Sequence, residues 1–308
     1  IAAIPNEVYA LSGLKIKARS PLATTMNIEL ANGAEGYIPP PEQHALGGYT
    51  TWPARTAGLE VQAEPKIVET ALGLLEQVAA APRRRETPIA SRYAQVVLGS
   101  RPSAFWRLDE MEGAEALDSS GHEHAAKRSP GVALYLPGPE LPGFRVGPRT
   151  NRSNHLAGGT IAGKLDVPAE VYAVEFWFWN GVPKDAVLLE RSRDKTPGDA
   201  LGLNAANRLV FSHGPNTLVG KSEIAPKSWR HVALVRQGRG IVVYLDGQPE
   251  IQGDADSDTS GVGSTFTLGD RLDPAAAFEG KLDEVAVFDR ALTSAEVAEH
   301  YKAATDGS

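Results

Sequence analysis

From about residue 91 to the C-terminus the chain repeats one pattern. Short runs in which apolar and polar residues alternate are separated by Gly, Pro, Asn and Asp. Trp229-Arg-His-Val-Ala-Leu-Val-Arg236 alternates as a half-buried strand does. Leu245-Asp-Gly247 supplies a hairpin turn, with Gly free to take a positive φ. Strands are predicted at 104–108, 133–136, 160–166, 173–179, 186–191, 200–204, 209–213, 229–236, 241–245, 265–269 and 280–288. Many short strands with turns between them predict an all-β sandwich. In the run at 173–179, Phe176 and Phe178 face one way while Trp177 and Trp179 face the other. Thr293-Ser-Ala-Glu296 reads as a capping box opening a C-terminal helix, with Leu292 and Val297 as its hydrophobic staple.

The first 81 residues have a different rhythm and read as α/β. Asn6 can cap a helix running to about Ala18, with Val8, Leu11, Leu14 and Ala18 on one face. Residues 25–31 alternate, placing Met26, Ile28 and Leu30 on one side of a strand. A loop rich in Pro and Gly follows over 32–58, and Pro65 then sits in the first turn of a second helix. Ile67, Val68, Ala71, Leu74, Leu75 and Val78 form its apolar stripe, which must pack on something. Pro82-Arg-Arg-Arg-Glu-Thr-Pro88 breaks the pattern; it reads as a solvated linker or, alternatively, as a patch for an anionic partner. The expected organisation is an α/β segment at 1–81, a linker at 82–92 and a β-sandwich at 93–304.

Charge excludes one class of partner. Residues 1–81 carry 5 basic and 8 acidic side chains, which leaves 26 of the 31 basic and 30 of the 38 acidic residues for the remainder. Neither part is basic, so nucleic acid is not an expected partner. No apolar run approaches 18 residues, so no membrane span is expected. With no cysteine the chain has neither disulfides nor thiolate metal sites. Ile1 in place of an initiator Met predicts a processed or trimmed start.

Four separated motifs then fall in order. Tyr93-Ala-Gln-Val-Val-Leu-Gly-Ser-Arg-Pro-Ser-Ala-Phe-Trp-Arg-Leu-Asp-Glu110 opens the region and is followed by Leu117-Asp-Ser-Ser-Gly121. Val174-Glu-Phe-Trp177 comes next, and Phe278-Glu-Gly-Lys-Leu-Asp-Glu-Val-Ala-Val-Phe-Asp-Arg-Ala-Leu-Thr-Ser-Ala-Glu-Val297 closes it. Together with the Trp229 and Leu245 segments these resemble the laminin-G-like, concanavalin-A-like jelly roll over nearly all of 91–303. The resemblance implies a binding module for a carbohydrate or cell-surface ligand, with calcium as the usual inorganic partner. Asp118 and Asp283 are the carboxylates it points to; turn capping and a strand-edge hydrogen bond account for them equally. Asp254, Asp256 and Asp258 lack the Gly and Glu of a calcium-binding EF-hand loop. Trp177 and Trp179 are candidates for stacking on a sugar, or aromatics covered by loops.

Near the N-terminus, Ile4-Pro-Asn-Glu-Val-Tyr9, Ile28-Glu-Leu-Ala-Asn-Gly-Ala-Glu-Gly-Tyr-Ile-Pro-Pro-Pro-Glu42 and Gly47-Gly-Tyr49 resemble the C-terminal part of the neutral/alkaline ceramidase catalytic domain. Matched residue by residue, the resemblance assigns Glu7 and Tyr37 as ligands of a catalytic zinc that activates water for amide hydrolysis. Without it, Glu7 reads as an acid favoured by a helix N-terminus and Tyr37 as a loop-packing aromatic. The family's glycine before the glutamate is Asn6 here, and His44 is the only histidine in the first 81 residues. The family's zinc histidines and nucleophilic serine lie upstream of the matching region, so this chain alone is not expected to catalyse.

Three functions follow as expectations. The first is a secreted, periplasmic or cell-surface binding module attached to the end of a ceramidase-like zinc amidohydrolase. The second is one half of a split or processed zinc amidase, completed by an upstream catalytic polypeptide. The third is a purely structural sandwich.

Overall fold

A computed structural model describes residues 1–306 except 35, 56, 86–89, 148, 194–195, 257 and 271–275. The chain divides into two compact units, Ile1–Ile89 and Ala90–Ser308.

The first unit begins with strands β1 (Ala2–Ala3) and β2 (Glu7–Val8) and helix α1 (Ala10–Arg19). Strands β3 (Asn27–Ile28) and β4 (Tyr37–Ile38) and helices α2 (Pro41–Leu46) and α3 (Ala63–Ala79) follow. β1 pairs with β3 and β2 with β4, both in parallel. The predicted first helix starts four residues later than Asn6, because the chain extends through β2 before Tyr9 takes the cap position. The strand predicted over 25–31 shrinks to two residues, with Met26, Ile28 and Leu30 exposed. α3 buries Val68, Leu72 and Leu75, whereas Leu74 and Val78 of the expected stripe face solvent. Ala2, Ile4, Ile16 and Ile38 complete this core, and the buried Lys15 lies 3.2 Å from Glu64 of α3. Two of the three consecutive arginines belong to this unit and not to a free linker. Arg83 grips Glu76 and Glu69, while Arg84 donates to the carbonyls of Ser20 and Lys17.

The second unit opens with helix α4 (Arg92–Gly99), β5 (Ala104–Trp106), β6 (Glu115–Ala116), β7 (Ala126–Arg128) and β8 (Val132–Pro137). After a 3-10 turn (Pro142–Phe144) come β9 (Arg152–Ala157), β10 (Ile161–Lys164), β11 (Val171–Asn180), β12 (Ala186–Arg193) and β13 (Thr196–Leu203). Then follow β14 (Leu209–His213), β15 (Asn216–Val219), β16 (Trp229–Gln237), β17 (Gly240–Leu245) and β18 (Gln248–Asp254). β19 (Thr265–Leu268), β20 (Glu279–Phe288) and α5 (Ser294–Thr305) complete it.

These strands form two eight-stranded sheets. The first has the order β15-β14-β13-β12-β19-β10-β7-β6; the second runs β18-β17-β16-β11-β20-β9-β8, with β5 also paired to β20. The described strands of this unit all pair antiparallel, so side chains of one parity fill the space between the sheets. Val174, Phe176 and Phe178 of β11 point there with Leu188, Leu201, Phe211 and Phe266. The opposite parity, Ala173 and Trp177, faces a second core under α4 and α5. The capping box at Thr293 is formed, with Thr293 Oγ1 accepting from the Glu296 N–H and the Glu296 carboxylate accepting from the Thr293 N–H. Among the described residues no helix is long and apolar enough to cross a membrane.

Candidate functional site

Three places gather the residues that the sequence singled out. In the first unit the parallel pairing of β2 and β4 sets Glu7 directly opposite Tyr37. The Tyr37 ring meets Tyr49 edge-on, with centroids 5.3 Å apart and planes at 87°. The hydrogen bond with Tyr49, burial and the neighbouring Glu7 carboxylate push the Tyr37 hydroxyl up to about 12, so it stays a neutral phenol at neutral pH. Glu7, Tyr9, Glu29, Tyr37, Tyr49 and Thr50 line a cleft of about 500 Å³, and Tyr9 Oη lies 2.7 Å from Thr50 Oγ1. Glu7 and Tyr37 are thus neighbours, as a shared ligand role requires. Two oxygen donors are half of a tetrahedral zinc shell. His44 does not line the cleft, and among the described residues no group of three or more His, Asp or Glu stands where it could hold a metal.

The second place lies on the sandwich. Asp118 spends both carboxylate oxygens on donors of its own turn and of β5. Oδ1 accepts from the N–H groups of Phe105 and Ser120 (2.8 Å each), and Oδ2 accepts from Ser120 Oγ (2.8 Å) and the His124 N–H (3.0 Å). Burial works against its charge, yet these donors outweigh it and hold its pKa below the ordinary value. Asp283 is wholly buried on β20; Asn151 Nδ2 donates to its Oδ2 at 2.6 Å while Oδ1 has no hydrogen-bond partner. Burial, and then the adjacent Glu284, push its pKa well up. Calcium takes six to eight oxygens; among the described residues neither carboxylate belongs to a group of three or more His, Asp or Glu placed to hold a metal. Asp118 is engaged by the backbone and hydroxyl donors around its turn, and Asp283 accepts from Asn151 on a central strand.

The third place is the outer face of the second sheet. Trp177 is 1% exposed, walled in by Tyr93, Phe144 and Tyr301, with ring centroids 5.5 to 6.1 Å away. A ring enclosed in this way offers no face to a sugar, so Trp177 leaves the list of binding candidates. Trp179 keeps a partly exposed ring, with Lys281 Nζ 5.0 Å from its centroid. Antiparallel register places Lys281 on one side of Trp179 and the partly exposed Trp229 on the other. Lys281, Trp179 and Trp229 thus form one row across β20, β11 and β16. Trp229 was visible in the sequence only as a strand start; the signal that would have found it is the pairing of the two strands, which a sequence does not contain.

Comparison with known proteins fits this architecture. Residues 157–298 match the family model of the concanavalin A-like lectin/glucanases superfamily. Among solved structures, the chain resembles domain 4 of AbnA, an extracellular arabinanase from Geobacillus stearothermophilus solved with arabinotriose. That match has a TM-score of 0.51 at 18% identity and covers 65% of this chain and 98% of that one. The binding domain of botulinum neurotoxin serotype D/C matches at TM-score 0.51 and 11% identity, over 68% of this chain and 53% of that one. A Trypanosoma rangeli sialidase, in complex with the inhibitor DANA, matches at TM-score 0.51 and 15% identity, over 64% of this chain and 32% of that one. The chain thus spans about half of the neurotoxin domain and a third of the sialidase. At these identities the likeness is one of fold. No curated protein matches the sequence. The ceramidase resemblance of residues 1–81 finds no support in these matches.

Proposed function

We propose that the second unit is a binding module for a carbohydrate or glycan-bearing cell-surface ligand, working outside the cell or at its surface, with the Lys281–Trp179–Trp229 row as its contact face. The observation that carries this reading is the row itself. Two partly exposed indoles lie side by side on the sheet, with the Lys281 ammonium over the Trp179 ring and donating to the Pro137 carbonyl. Flat aromatic faces stack on the C–H faces of sugars while a cation meets hydroxyls or an acidic substituent. The arabinotriose complex of the similarly folded arabinanase domain supports the ligand class. The test is calorimetric titration with arabinotriose and a glycan panel. Saturable binding is expected, weakened at least about tenfold by Trp179→Ala with the Tm unchanged. Absence of binding across the panel, or full affinity in Trp179→Ala, overturns it.

A second reading concerns the first unit, which we infer to be the closing part of a ceramidase-like zinc amidohydrolase. Glu7 and Tyr37 would then be two of its ligands, the rest coming from an upstream polypeptide. The juxtaposition of Glu7 and Tyr37 across β2 and β4 favours it. Native purification followed by zinc analysis checks it: one zinc per complex together with a histidine-bearing partner supports this reading, and a zinc-free lone chain removes it.

A further inference from the structure

A hydroxyl, an imidazole and a carboxylate line up where α4 and α5 cover the outer face of the second sheet. Ser100 is the C-cap residue of α4, and its Oγ lies 2.8 Å from Nε2 of His300 on α5. The other nitrogen of the same ring, Nδ1, lies 2.8 and 3.0 Å from the two carboxylate oxygens of Glu175 on β11. Both His300 and Glu175 are fully buried. Burial alone would raise Glu175, but His300 and His231 outweigh it and hold its pKa at about 2, so it stays ionised. His231 Nε2 stands 3.6 Å from Glu175 on β16. Hydroxyl, Nε2, Nδ1 and carboxylate follow one another in the order that activates a serine nucleophile: base toward the hydroxyl, carboxylate fixing the ring from behind.

The hydroxyl end of this relay is open. Ser100 is partly exposed and lines a cleft of about 820 Å³ together with Gly99, Arg101, His122, His124 and Arg290. A side chain built on Gly99 would meet nothing within 4 Å, so the approach beside Ser100 is clear. Arg290 Nη2 donates to the Ser100 carbonyl at 3.1 Å. A buried structural network would have no need of a solvent cleft at its hydroxyl.

We propose that Ser100, His300 and Glu175 form a hydrolytic site for short-chain carboxylic esters of polar, hydroxyl-rich alcohols, separate from the Trp179 row and independent of what that row binds. The lining chooses the class. Arginines, histidines and the acids Asp166, Asp289, Glu296 and Glu299 suit a polar alcohol, and Leu165 and Val167 are the two larger apolar side chains of the lining, a short apolar stretch that suits a small acyl group. Ser100 Oγ attacks the ester carbonyl, forming the O–C bond while its proton passes to His300 Nε2. As the tetrahedral intermediate collapses, the ester C–O bond breaks and Nε2 returns that proton to the departing alkoxide. Water then adds to the acyl-serine through the same base, releasing the carboxylic acid and restoring the Ser100 hydroxyl. The N–H groups of Ser100 and Arg101 are spent on carbonyls of α4, and the Arg290 guanidinium is held by Glu296 and the carbonyls of Ser100 and Ala291, so the Arg101 guanidinium lining the cleft is the donor that would receive the oxyanion.

The full chain is treated with a fluorophosphonate serine probe and mapped by mass spectrometry, and p-nitrophenyl acetate hydrolysis is followed in parallel. One adduct per chain at Ser100 is expected. Ser100→Ala should abolish it and lower hydrolysis by about 100-fold or more without moving the Tm. Ser100→Cys gives an independent reading, since a thiol hydrogen-bonded to His300 should be alkylated by iodoacetamide with a midpoint below the ordinary value of about 8.5. An unlabelled wild-type chain, an adduct or hydrolysis that survives Ser100→Ala, or an ordinary thiol midpoint in S100C overturns the proposal.

Discussion

Glu284 sits at a β-bulge, with its carboxylate buried against Arg107 and one oxygen unpartnered. Burial pushes its pKa from 4.5 up to about 7, with Arg107 pulling the other way. The folded state therefore keeps a proton that the unfolded chain gives up at lower pH. This contribution to stability is fully present below pH 4.5 and is lost as the pH rises through about 7. Asp283 is displaced in the same direction. Glu175 has the opposite sign, but its share is lost only as the pH falls from 4.5 toward about 2, outside that window. The Tm of the sandwich should fall between pH 4.5 and 7, and Glu284→Gln should flatten the fall; an unchanged slope in the variant would contradict the assignment. None of this is readable in Leu282-Asp-Glu-Val285, where both acids look like strand residues facing solvent. Their partners Asn151 and Arg107 lie more than a hundred residues away.

At the scale of elements, β16 and β20 were legible because both their faces are largely buried and their apolar runs are long, and β14 because its apolar and polar residues alternate strictly. Residues 209–213 coincide with β14, and the runs at 229–236 and 280–288 fall one residue short of β16 and β20. β6, β7, β9, β15 and β18 went unread. They are short or carry Arg, Asn, Gln and Glu, and β6, β15 and β18 end their sheets, where one backbone edge is unpaired and no alternation is enforced. α4 was hidden in the opening motif, although Ser91 Oγ caps it by accepting from the Ala94 N–H at 3.2 Å. Register also explains a small residue that no periodicity singles out. Gly163 on β10 faces the Trp106 indole of β5, and a Cβ there would collide with the ring. Trp106 is fully buried and its Nε1–H donates to the His124 carbonyl at 2.7 Å, so it cannot swing away. Gly163→Ala should therefore destabilise the sandwich by about 1–3 kcal/mol in urea unfolding with an unchanged m-value; a loss under about 0.5 kcal/mol would show that the ring yields.

On the scale of the molecule the two units differ in how well they enclose their apolar residues. Every residue of the two large cores lies beyond residue 90. Among the described residues the first unit has a core of seven buried residues, small for a unit that spans 89. Among the described residues it also carries ten exposed large apolar side chains, from Ile1 to Val78, against Leu117, Val182 and Val219 in the longer second unit. That imbalance was partly legible, since the α3 stripe demanded a partner, but which of its residues would stay uncovered depended on the turn of the helix against α1. An apolar surface of this extent on so small a core marks the first unit as the one that gains most from a covering polypeptide. The second unit, by contrast, contains all the side chains of its own cores, its helix caps and the Trp179 row. Residues 90–308 expressed alone should therefore unfold in one cooperative transition within about 2–4 °C of the sandwich transition in the full chain. They should sediment as a monomer and keep the full chain's glycan affinity. A broadened or missing transition in the fragment would mean that the sandwich draws on the first 89 residues for its stability, and the reading of it as a self-sufficient binding module would fall with that result.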